Sequence, residues 1–505
     1  MSTAAFLNDL RRQGIKLIAE GDRLRCVAAK GVLTPVIQRE IGARKSELLA
    51  YLAARPVAPP LKALPRTGPL PMSFGQERLW FLAQLDADSR AQNIFAAIRF
   101  RRALDVAALE RSLTEVVRRQ EVLRTVFPLI DGEPTARIDP PKPVTLAVVD
   151  LRTLTPLERD EEVARRKRER AAVSFDLQRG PLIVFELLCH ADADWELLIA
   201  QHHIITDRWS LGLLLNEIQQ HYEALTSGAQ QSRPDLAIQY VDFAQWQRDT
   251  ADALHDQLRY WRERLRGPLP VLDLPADRPR PPMQTYGGAW EGRLLSPALN
   301  ADLRSLSQRE GVTLFMTLLA AFKALLARQS GITDVLVGSP VAGRPREELE
   351  SIIGYFINTV VLRTDLSGNP SFRDLLARVR DTALDAFAHQ DIPFERIVGE
   401  LHVPRDLSRS PVFQVVFIMQ NAPKSVEVST DMSLSASGGT MFDLSLTAVE
   451  VKDGLQVTAE YNTDLFDRGT IAALLEQYET LLASVVASPE RPLWAIPVIS
   501  APAAR

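Results

Sequence analysis

A proline-rich run near the N-terminus constrains the fold of this chain more than any other sequence feature. Residues 55–71, RPVAPPLKALPRTGPLP, contain six prolines. Proline has no backbone N–H and its ring clashes with the preceding turn of a helix, so this run favours a semi-rigid linker. We therefore divide the chain into a head of residues 1–58, a linker of residues 59–70 and a body that starts at residue 71.

The head is short, and its sequence predicts a small unit of helices and a hairpin. AAFLNDLRRQGIKL has apolar residues at helical spacing with Gly14 as a stop, and KSELLAYLAA predicts a second helix capped by Ser46. Between them, IKLIAEGDRLRCVA alternates around Glu20-Gly21-Asp22, which predicts a β-hairpin. A unit of this size buries little apolar surface, so we expect it to dock against a partner rather than to catalyse a reaction.

The body mixes helical and strand patterns. ALERSLTEVVRRQEVL and TLFMTLLAAFKALLARQ have helical periodicity, whereas DWELLIAQHHII, DVLVGSPV and VFQVVFIM are short apolar runs typical of strands. This α/β pattern extends over roughly 430 residues, which is too many for one ordinary core and predicts two lobes. A second proline-rich run at residues 274–283 is a candidate connection near the boundary between the lobes.

Composition argues against several classes of function. The formal net charge of −4 gives no electrostatic basis for binding nucleic acid or an anionic membrane. The two cysteines, Cys26 and Cys189, form neither a disulfide framework nor a metal-ligand pattern. The N-terminus lacks the apolar run of a signal peptide, and no later stretch is long and apolar enough to span a bilayer. We expect a cytoplasmic protein with no metal site, no membrane partner and no nucleic-acid partner.

One stretch concentrates the chemistry: IAQHHIITDRWSLGLLLNEI, residues 199–218. A predicted strand over residues 195–201 delivers two adjacent histidines to its end, and a predicted helix begins at Ser210. Neighbouring side chains of an extended segment point to opposite faces, so one histidine is expected to face a cleft while the other packs inside. For an isolated pair of histidines, two purely structural residues would be the alternative.

The segment HHIITDRWS resembles the HHxxxDG motif of the condensation domains of nonribosomal peptide synthetases, which are relatives of chloramphenicol acetyltransferase. Further segments resemble the other motifs of that family, and they occur in the family's order, so a chance match is a poor explanation. These segments are MSFGQERLWFL (72–82), RRQEVLRTVF (118–127), YVDFAQW (240–246), IIGYFINTVVLR (352–363), HQDIPFERIV (389–398) and RDLSRSPVFQ (405–414).

The resemblance runs from residue 71 to about residue 497 and carries implications for the fold. It implies an α/β fold of two chloramphenicol-acetyltransferase-like lobes in a V, residues 71–245 and 246–497, with the active site in a tunnel between them. The head resembles the small N-terminal docking domains of the tubulysin type, which bind a short C-terminal segment of a partner subunit. PERPLWAIPVIS resembles the connection into an adenylation domain, so the tail at 498–505 is expected to lead toward one.

The reaction implied by the resemblance is amide formation. An acyl thioester donor is joined to the α-amine of an aminoacyl group on the phosphopantetheine arm of a carrier protein. No permanently bound cofactor is expected, because phosphopantetheine or CoA carries the substrates. The expected partners are an acceptor carrier protein, acyl-CoA or an upstream carrier protein as donor, the tail of an upstream subunit at the head, and a downstream adenylation domain.

The class of donor is less constrained than the reaction. WSLGLLLNEI resembles the subtype that joins L-residues and the starter subtype that acylates the first amino acid from acyl-CoA. The docking-like head favours a donor acyl group delivered by another subunit. A donor side of the tunnel that is narrowed by a large side chain instead favours a short starter acyl group. The sequence prediction is chain-initiating N-acylation from a short acyl-CoA, with elongating L-L peptide-bond formation as the alternative. A non-catalytic scaffold that binds carrier proteins is the alternative from another class.

The resemblance makes His203 the catalytic histidine and His202 a structural support. An α-amine has a pKa of about 7.7 to 8.0, so obtaining its neutral form at pH 7 costs only about 1 kcal/mol and needs no strong base. We therefore expect His203 mainly to orient the amine and to accept a proton. The aspartate that matches Asp207 makes a structural ion pair with an arginine in this family, and Arg344 is the candidate partner.

Other residues match motif positions of the family. Arg119 and Arg124 match arginines of the second motif, with a solvated helix face as the alternative for Arg119. Trp246 and Asn358 match further positions as possible tunnel residues, and packing is the alternative explanation for the tryptophan.

Arg208 departs from the family, whose motif has glycine at this position. Glycine permits unusual backbone dihedrals and leaves open space, and arginine gives up both. The side chain can point harmlessly to solvent, disable the site, or narrow the donor arm of the tunnel and restrict the acyl group. An arginine in a dry tunnel needs water or a partner such as a carboxylate or a thioester oxygen. Because both histidines and Asp207 are intact, we favour the gate, place the solvent-facing side chain next and the disabled site last.

Overall fold

The structure is a computed structural model, and its helices and strands are numbered here in chain order. It describes residues 59–498 except 86–89, 229–233, 402–405, 421–431 and 436–438, and within the head it describes residues 3, 6, 7, 10, 15–20, 23–28, 33 and 35–54. The predicted helix stop at Gly14, the hairpin turn at residues 21 and 22, and the tail beyond residue 498 lie outside the described residues.

The described elements alternate between helices and strands as the patterns of the body predict. The helices are α1 Pro35–Ala43, α2 Lys45–Ala54, α3 Phe74–Leu85, α4 Val106–Arg119, α5 Pro156–Ala171, α6 Arg208–Ser227, α7 Tyr240–Ala251, α8 His255–Arg264, α9 Pro297–Arg309, α10 Leu314–Ser330, α11 Phe372–Ala388, α12 Phe394–Leu401 and α13 Arg468–Ala487. The strands are β1 Ile15–Glu20, β2 Arg23–Ala28, β3 Asn93–Phe100, β4 Thr125–Val126, β5 Leu129–Ile130, β6 Glu133–Pro134, β7 Arg137–Ile138, β8 Ala147–Asp150, β9 Ile183–Ala191, β10 Asp194–His202, β11 Gly288–Leu295, β12 Asp334–Val341, β13 Asn358–Asp365, β14 Val415–Gln420, β15 Met432–Ser435, β16 Leu444–Val451 and β17 Gly454–Asn462.

In the head, β1 and β2 form the predicted antiparallel hairpin, with Glu20 paired to Arg23. The predicted cap at Ser46 is wrong, because α2 already begins at Lys45. Arg44 donates its N–H to the carbonyl of Glu40 and accepts from the N–H of Leu48, so one helix follows the other without a capping turn. The small core of the head consists of Phe6, Leu7, Leu10, Ile15, Leu17, Ile41 and Leu48.

The first lobe is built on a sheet with strand order β15-β3-β10-β9-β8, in which only the β8–β9 pair is parallel. Alternation along β10 directs Leu197 and Ile199 into a core with α4 and α6. Leu198 and Ala200 point to the opposite face, where they pack with Ala171 of α5. The sheet is therefore covered on both faces, and the end of β10 is held firmly.

The second lobe has a sheet of order β11-β17-β16-β14-β12-β13. Its central helix α10 is capped by Thr313, whose side chain accepts from the N–H of Met316, and it ends at Gly331 in the left-handed conformation. Lys323 of α10 is fully buried and donates from Nζ to the carbonyls of Val335 and Leu362. Burial lowers the pKa of this amine well below its ordinary value.

Two segments of the second half of the chain pack into the first lobe. Residues 349–356 contribute buried apolar side chains to the first core, and β15 pairs with β3. The chain changes lobes between α7, which packs in the first core, and α8, which packs in the second. The proline-rich run at 274–283 is therefore not a lobe connection, and it lies instead on the second lobe, where Arg280 pairs with Asp443.

Within the described residues, no single helix has the length and apolar composition needed to cross a bilayer. The pair α9 and α10 meets those criteria jointly, with a bend of 102° between the two helices.

Candidate active site

The two histidines lie where a strand turns into a helix, as the sequence predicts. β10 ends at His202, residues 203–205 form one turn of 3₁₀-helix, and α6 begins at Arg208. The helix starts two residues earlier than predicted because Asp207 caps it: Oδ1 of Asp207 accepts the backbone N–H of Ser210 at 2.7 Å. This cap also fixes the direction in which the chain leaves the histidine turn.

His202 faces the interior. Its ring makes an edge-to-face contact with Phe175 at 6.2 Å, and its Nδ1 accepts the backbone N–H of Ile204 at 3.1 Å. An accepting Nδ1 carries no proton, so the proton of the neutral ring sits on Nε2. Burial lowers the pKa of His202 to about 3, with a smaller contribution from His203. His202 is therefore a neutral structural group at pH 7.

His203 is held at both its backbone and its ring. The backbone N–H donates to the carbonyl of Gln92 at 2.7 Å, and Nδ1 lies 2.7 Å from the carbonyl oxygen of Thr206. A carbonyl only accepts, so Nδ1 of His203 carries the proton and Nε2 has the free lone pair. Within the described part of the chain, no hydrogen bond uses that Nε2. Tyr355 packs edge-to-face against the ring at 5.0 Å.

Burial lowers the pKa of His203, and the Thr206 carbonyl and the Asp207 carboxylate partly oppose this shift. A lowered pKa keeps the imidazole neutral at pH 7. The ring thus presents an unprotonated nitrogen that can accept a proton or a hydrogen bond from an approaching amine.

Asp207 holds the turn in place and does not contact the ring of His203 through a hydrogen bond. Its Oδ2 accepts the backbone N–H of Phe356 at 3.0 Å, and its Oδ1 lies 3.6 Å from Nη2 of Arg344. Arg344 also donates to Ser210 Oγ at 2.8 Å and to the carbonyl of Ile352 at 2.7 Å. The two side chains are almost fully buried, so this pair joins the histidine turn to the segment that arrives from the second lobe.

Several supporting residues were not singled out from the sequence. Gln76 donates from Nε2 to the carbonyl of Ile204 at 3.1 Å and so holds the histidine turn from α3. A Cβ at Gly75 would lie 2.6 Å from the ring of Tyr355, so only glycine leaves room for that ring. Both residues lie in MSFGQERLWFL, so the motif match already contained the signal, although it assigned no role to either residue.

The structure does not bring the two motif arginines to the histidine turn. Arg119 is buried, and its Nη1 lies 2.5 Å from Oε1 of Glu217 on α6, so the solvated helix face is wrong. The end of α4 packs against α6 and the Pro234 carbonyl, so this arginine is buried although the local pattern would leave it outside. Arg124 donates to the carbonyl of Asp139, and burial lowers the pKa of its guanidinium.

Trp246 and Asn358 also serve the framework in their described contacts. The indole N–H of Trp246 donates to the carbonyl of Pro59 at 2.7 Å, and its ring stacks on Phe243. Asn358 donates from Nδ2 to the carbonyls of Gln390 and Ile392, both at 2.8 Å, and accepts the N–H of Phe394. These contacts favour packing for Trp246 and a clamp on the HQDIPFERIV segment for Asn358.

Arg208 is the first residue of α6 and has ordinary helical backbone geometry, so no unusual dihedral is needed where the family motif has glycine. Its side chain is exposed, and within the described residues it makes no hydrogen bond or ion pair. The surrounding protein nevertheless lowers the pKa of the guanidinium by desolvation.

Comparisons with known proteins agree with the motifs. The chain matches the family described as Condensation domain over residues 67–503, and residues 4–53 match the TubC N-terminal docking domain. One of the linear gramicidin synthase proteins of Brevibacillus parabrevis is 46% identical over 461 residues, which is 90% of this chain but only 9% of that synthase protein.

Solved structures share the fold of the body. The X-domain from teicoplanin biosynthesis superposes with a TM-score of 0.80 at 30% identity, covering 87% of this chain and 100% of the X-domain. A complex of the X-domain and OxyB from teicoplanin biosynthesis superposes with a TM-score of 0.79 at 29% identity, covering 89% of this chain and 100% of that chain.

Proposed function

The chain belongs to the condensation domains of nonribosomal peptide synthetases, which are amide-forming acyltransferases, and it carries a TubC-type docking domain at its N-terminus. On that premise we propose that it joins an acyl thioester donor to the α-amine of an aminoacyl group on a carrier protein. The observation that carries this proposal is His203, a neutral histidine whose Nε2 is free while Nδ1 is bound to the Thr206 carbonyl.

In the proposed reaction the amine nitrogen attacks the thioester carbonyl, the C–N bond forms, and the C–S bond breaks as the tetrahedral intermediate collapses. The nitrogen gives up one proton to Nε2 of His203, and the departing thiolate takes that proton up. Holding two tethered reactants in attack geometry contributes roughly 7 to 11 kcal/mol, which exceeds what a weak base supplies. The role of the rigid turn is therefore mainly to orient the amine.

For the donor we propose an acyl or peptidyl group on an upstream carrier protein, as in elongation. The docking domain at residues 4–53 supports this choice, because a docking domain holds two subunits together where a growing peptide passes from one to the other. This reverses the sequence-based preference for a short acyl-CoA starter. The starter alternative is favoured by Arg208, which occupies the position of the motif glycine beside the histidine turn.

A second candidate function is a binding platform without amide chemistry. The X-domain of teicoplanin biosynthesis shares the fold of this chain and has been described in complex with OxyB. A condensation fold can therefore serve as a docking partner. The intact histidine turn favours catalysis over this alternative.

The test uses an acceptor carrier protein loaded with an aminoacyl group. It supplies one of two donors at a time, either an upstream carrier protein loaded with an aminoacyl group or a short acyl-CoA, and detects amide products by mass spectrometry. We expect product with the upstream carrier, and at least about a hundred-fold loss in His203→Ala, the range of general acid–base catalysis. His389→Ala removes a histidine stacked on Tyr260 and is the matched control. Product from acyl-CoA alone would favour the starter function, and product with neither donor would favour the platform.

A further inference from the structure

Glu460 is a carboxylate on the face of the second sheet that is turned away from the helices. Along β17, Tyr461 and Ala459 belong to the core of the second lobe, so Glu460 projects to the opposite face. In the register of the sheet, Glu460 lies between Trp290 of β11 and Ser445 of β16. It is half-buried and lies outside every motif-like segment of the sequence.

Close backbone contacts connect a glycine on this face of the sheet, through Gly439, to the segment of the first lobe that binds the backbone of His203. A Cβ at Gly288, on the same face of the sheet as Trp290, would lie 2.6 Å from the carbonyl carbon of Gly439 and 2.8 Å from the backbone nitrogen of the next residue, Thr440. A Cβ at Gly439 would in turn lie 2.6 Å from Cα of Ala91 in the first lobe. The residue after Ala91 is Gln92, whose carbonyl accepts the backbone N–H of His203 at 2.7 Å.

The electrostatic setting of Glu460 suits a cationic ligand. Burial raises the pKa of its carboxyl, and hydrogen bonding to Thr440 partly opposes this. Within the described residues no lysine, arginine or histidine pairs with it. A carboxylate in protein surroundings is expensive unless a cation or hydrogen-bond donors accompany it. The acceptor of the proposed reaction carries such a cation, because a free α-amine is largely protonated at pH 7.

We propose that Glu460 is a positioning residue for the acceptor, and that its carboxylate binds the α-ammonium of the aminoacyl group on the phosphopantetheine arm. This inference rests on the proposed function. Glu460 keeps the nitrogen at the lobe junction beside the His203 turn, and it discriminates an amine from an uncharged nucleophile at the same carbon. Before attack the bound ammonium loses one proton to solvent, which costs little at pH 7 because an ordinary α-amine has a pKa of about 7.7 to 8.0. The neutral amine then gives its next proton to Nε2 of His203, as in the proposed reaction.

The test is a binding measurement without a donor, so it does not depend on turnover. The probes are an alanyl group joined to phosphopantetheine through an amide in place of the thioester, and the matching lactyl compound, which has a hydroxyl in place of the ammonium. We expect Glu460→Gln to weaken binding of the alanyl probe roughly ten-fold, the size of a charge-assisted hydrogen bond, and to leave the lactyl probe unchanged. Glu460→Asp keeps the charge and should restore part of the affinity.

Glu450→Gln is the matched control, because Glu450 lies on the neighbouring strand β16 and pairs with Arg304. It should change neither affinity. Equal weakening of both probes by Glu460→Gln would overturn the inference in favour of a structural role, and so would an unchanged affinity for the alanyl probe. Failure of the proposed function would be seen in a different experiment, in which the unaltered chain forms no amide product from loaded carrier proteins.

Discussion

At the scale of single residues, the site depends on two adjacent histidines with different surroundings. His202 is enclosed by the first lobe and uses Nδ1 to cap the turn, whereas His203 binds the Thr206 carbonyl through Nδ1 and keeps Nε2 open. The backbone directs one ring inward and the other toward Tyr355. The same side-chain chemistry therefore gives one structural group and one candidate catalytic group.

The enclosed histidine should make stability depend on pH. Its folded pKa of about 3 lies below the unfolded value near 6.5, so its contribution is complete above pH 6.5 and is lost as the pH falls. Each pH unit below 6.5 costs roughly 1.4 kcal/mol because only the unfolded chain binds the proton. His202→Asn keeps an acceptor for the Ile204 N–H but does not titrate.

Chemical denaturation at pH 7 and pH 5 measures this effect. Between these pH values the unaltered chain should lose about 2 kcal/mol more of its free energy of unfolding than the His202→Asn variant. His389→Asn serves as the control and should keep the full pH dependence. Equal losses in the unaltered chain and in His202→Asn would contradict the assignment.

Arg208 gives a second prediction at this scale. If its side chain narrows the donor arm, Arg208→Ala should improve long acyl donors relative to short ones, since each methylene accommodated in an apolar passage adds about 0.8 kcal/mol. Product formation across a series of acyl chain lengths, with Arg208→Gly in parallel, measures this. If all three proteins show the same dependence of product formation on acyl chain length, Arg208 is not a gate and its side chain faces solvent. A uniform gain with glycine would indicate a site that arginine disables.

At the scale of elements, the segment of residues 343–356 connects the second lobe to the start of α6. Its apolar side chains enter the first core, and Ser210 of α6 bonds to both the N–H and the carbonyl of Gly354. The carbonyl of Tyr355 accepts the hydroxyl of Tyr240 at 2.5 Å. The orientation of the histidine turn therefore depends on an element more than a hundred residues away in the chain.

Gly343 is the most constrained residue of this segment. It has φ +61°, and a Cβ there would lie 1.7 Å from the carbonyl oxygen of Phe356. Gly343→Ala should cost roughly 2 to 5 kcal/mol of unfolding free energy, from left-handed strain plus the backbone clash, and should lower amide formation. Gly311→Ala is the control, because Gly311 has φ +63° with open space around it, and should cost only about 1 to 2 kcal/mol. Equal losses of unfolding free energy in the two variants would show that the backbone at residue 343 relieves the clash with the Phe356 carbonyl at little cost.

At the scale of the whole molecule, the described part of the linker is attached to the first lobe. Arg66 pairs with Asp242 at 2.7 Å, Leu64 donates its N–H to the same carboxylate, and Pro59 accepts from Trp246. The linker is proline-rich as predicted, but from residue 59 onward it is part of the surface of the first lobe. We place the functional boundary of the head before these contacts.

Two truncations test that boundary. Deletion of residues 1–58 should leave the thermal transition of the body and its amide formation with excess carriers intact, because every linker contact above remains. Deletion of residues 1–70 also removes Arg66 and leaves the buried carboxylate of Asp242 without its cation, so the transition should fall by several degrees. Loss of the transition in the shorter deletion would show that the head belongs to the core of the body.

The sequence alone determined the hairpin of the head, the strand and helix around the histidines, and the family. These depend on signals within a few residues: alternation, helical periodicity and short motifs in order. The sequence also suggested Arg344 as the partner of Asp207, although only through the family resemblance.

Only the tertiary structure decided which distant groups meet. It pairs Arg119 with Glu217, connects Gln76 to the histidine turn, extends the first sheet with β15, and brings Gly439 against Ala91. No periodicity encodes these contacts. A buried polar group needs a partner, and which partner it meets depends on how elements far apart in the chain pack together. For the same reason Glu460 has no signal in its own neighbourhood of the sequence, and its surroundings exist only in the folded protein.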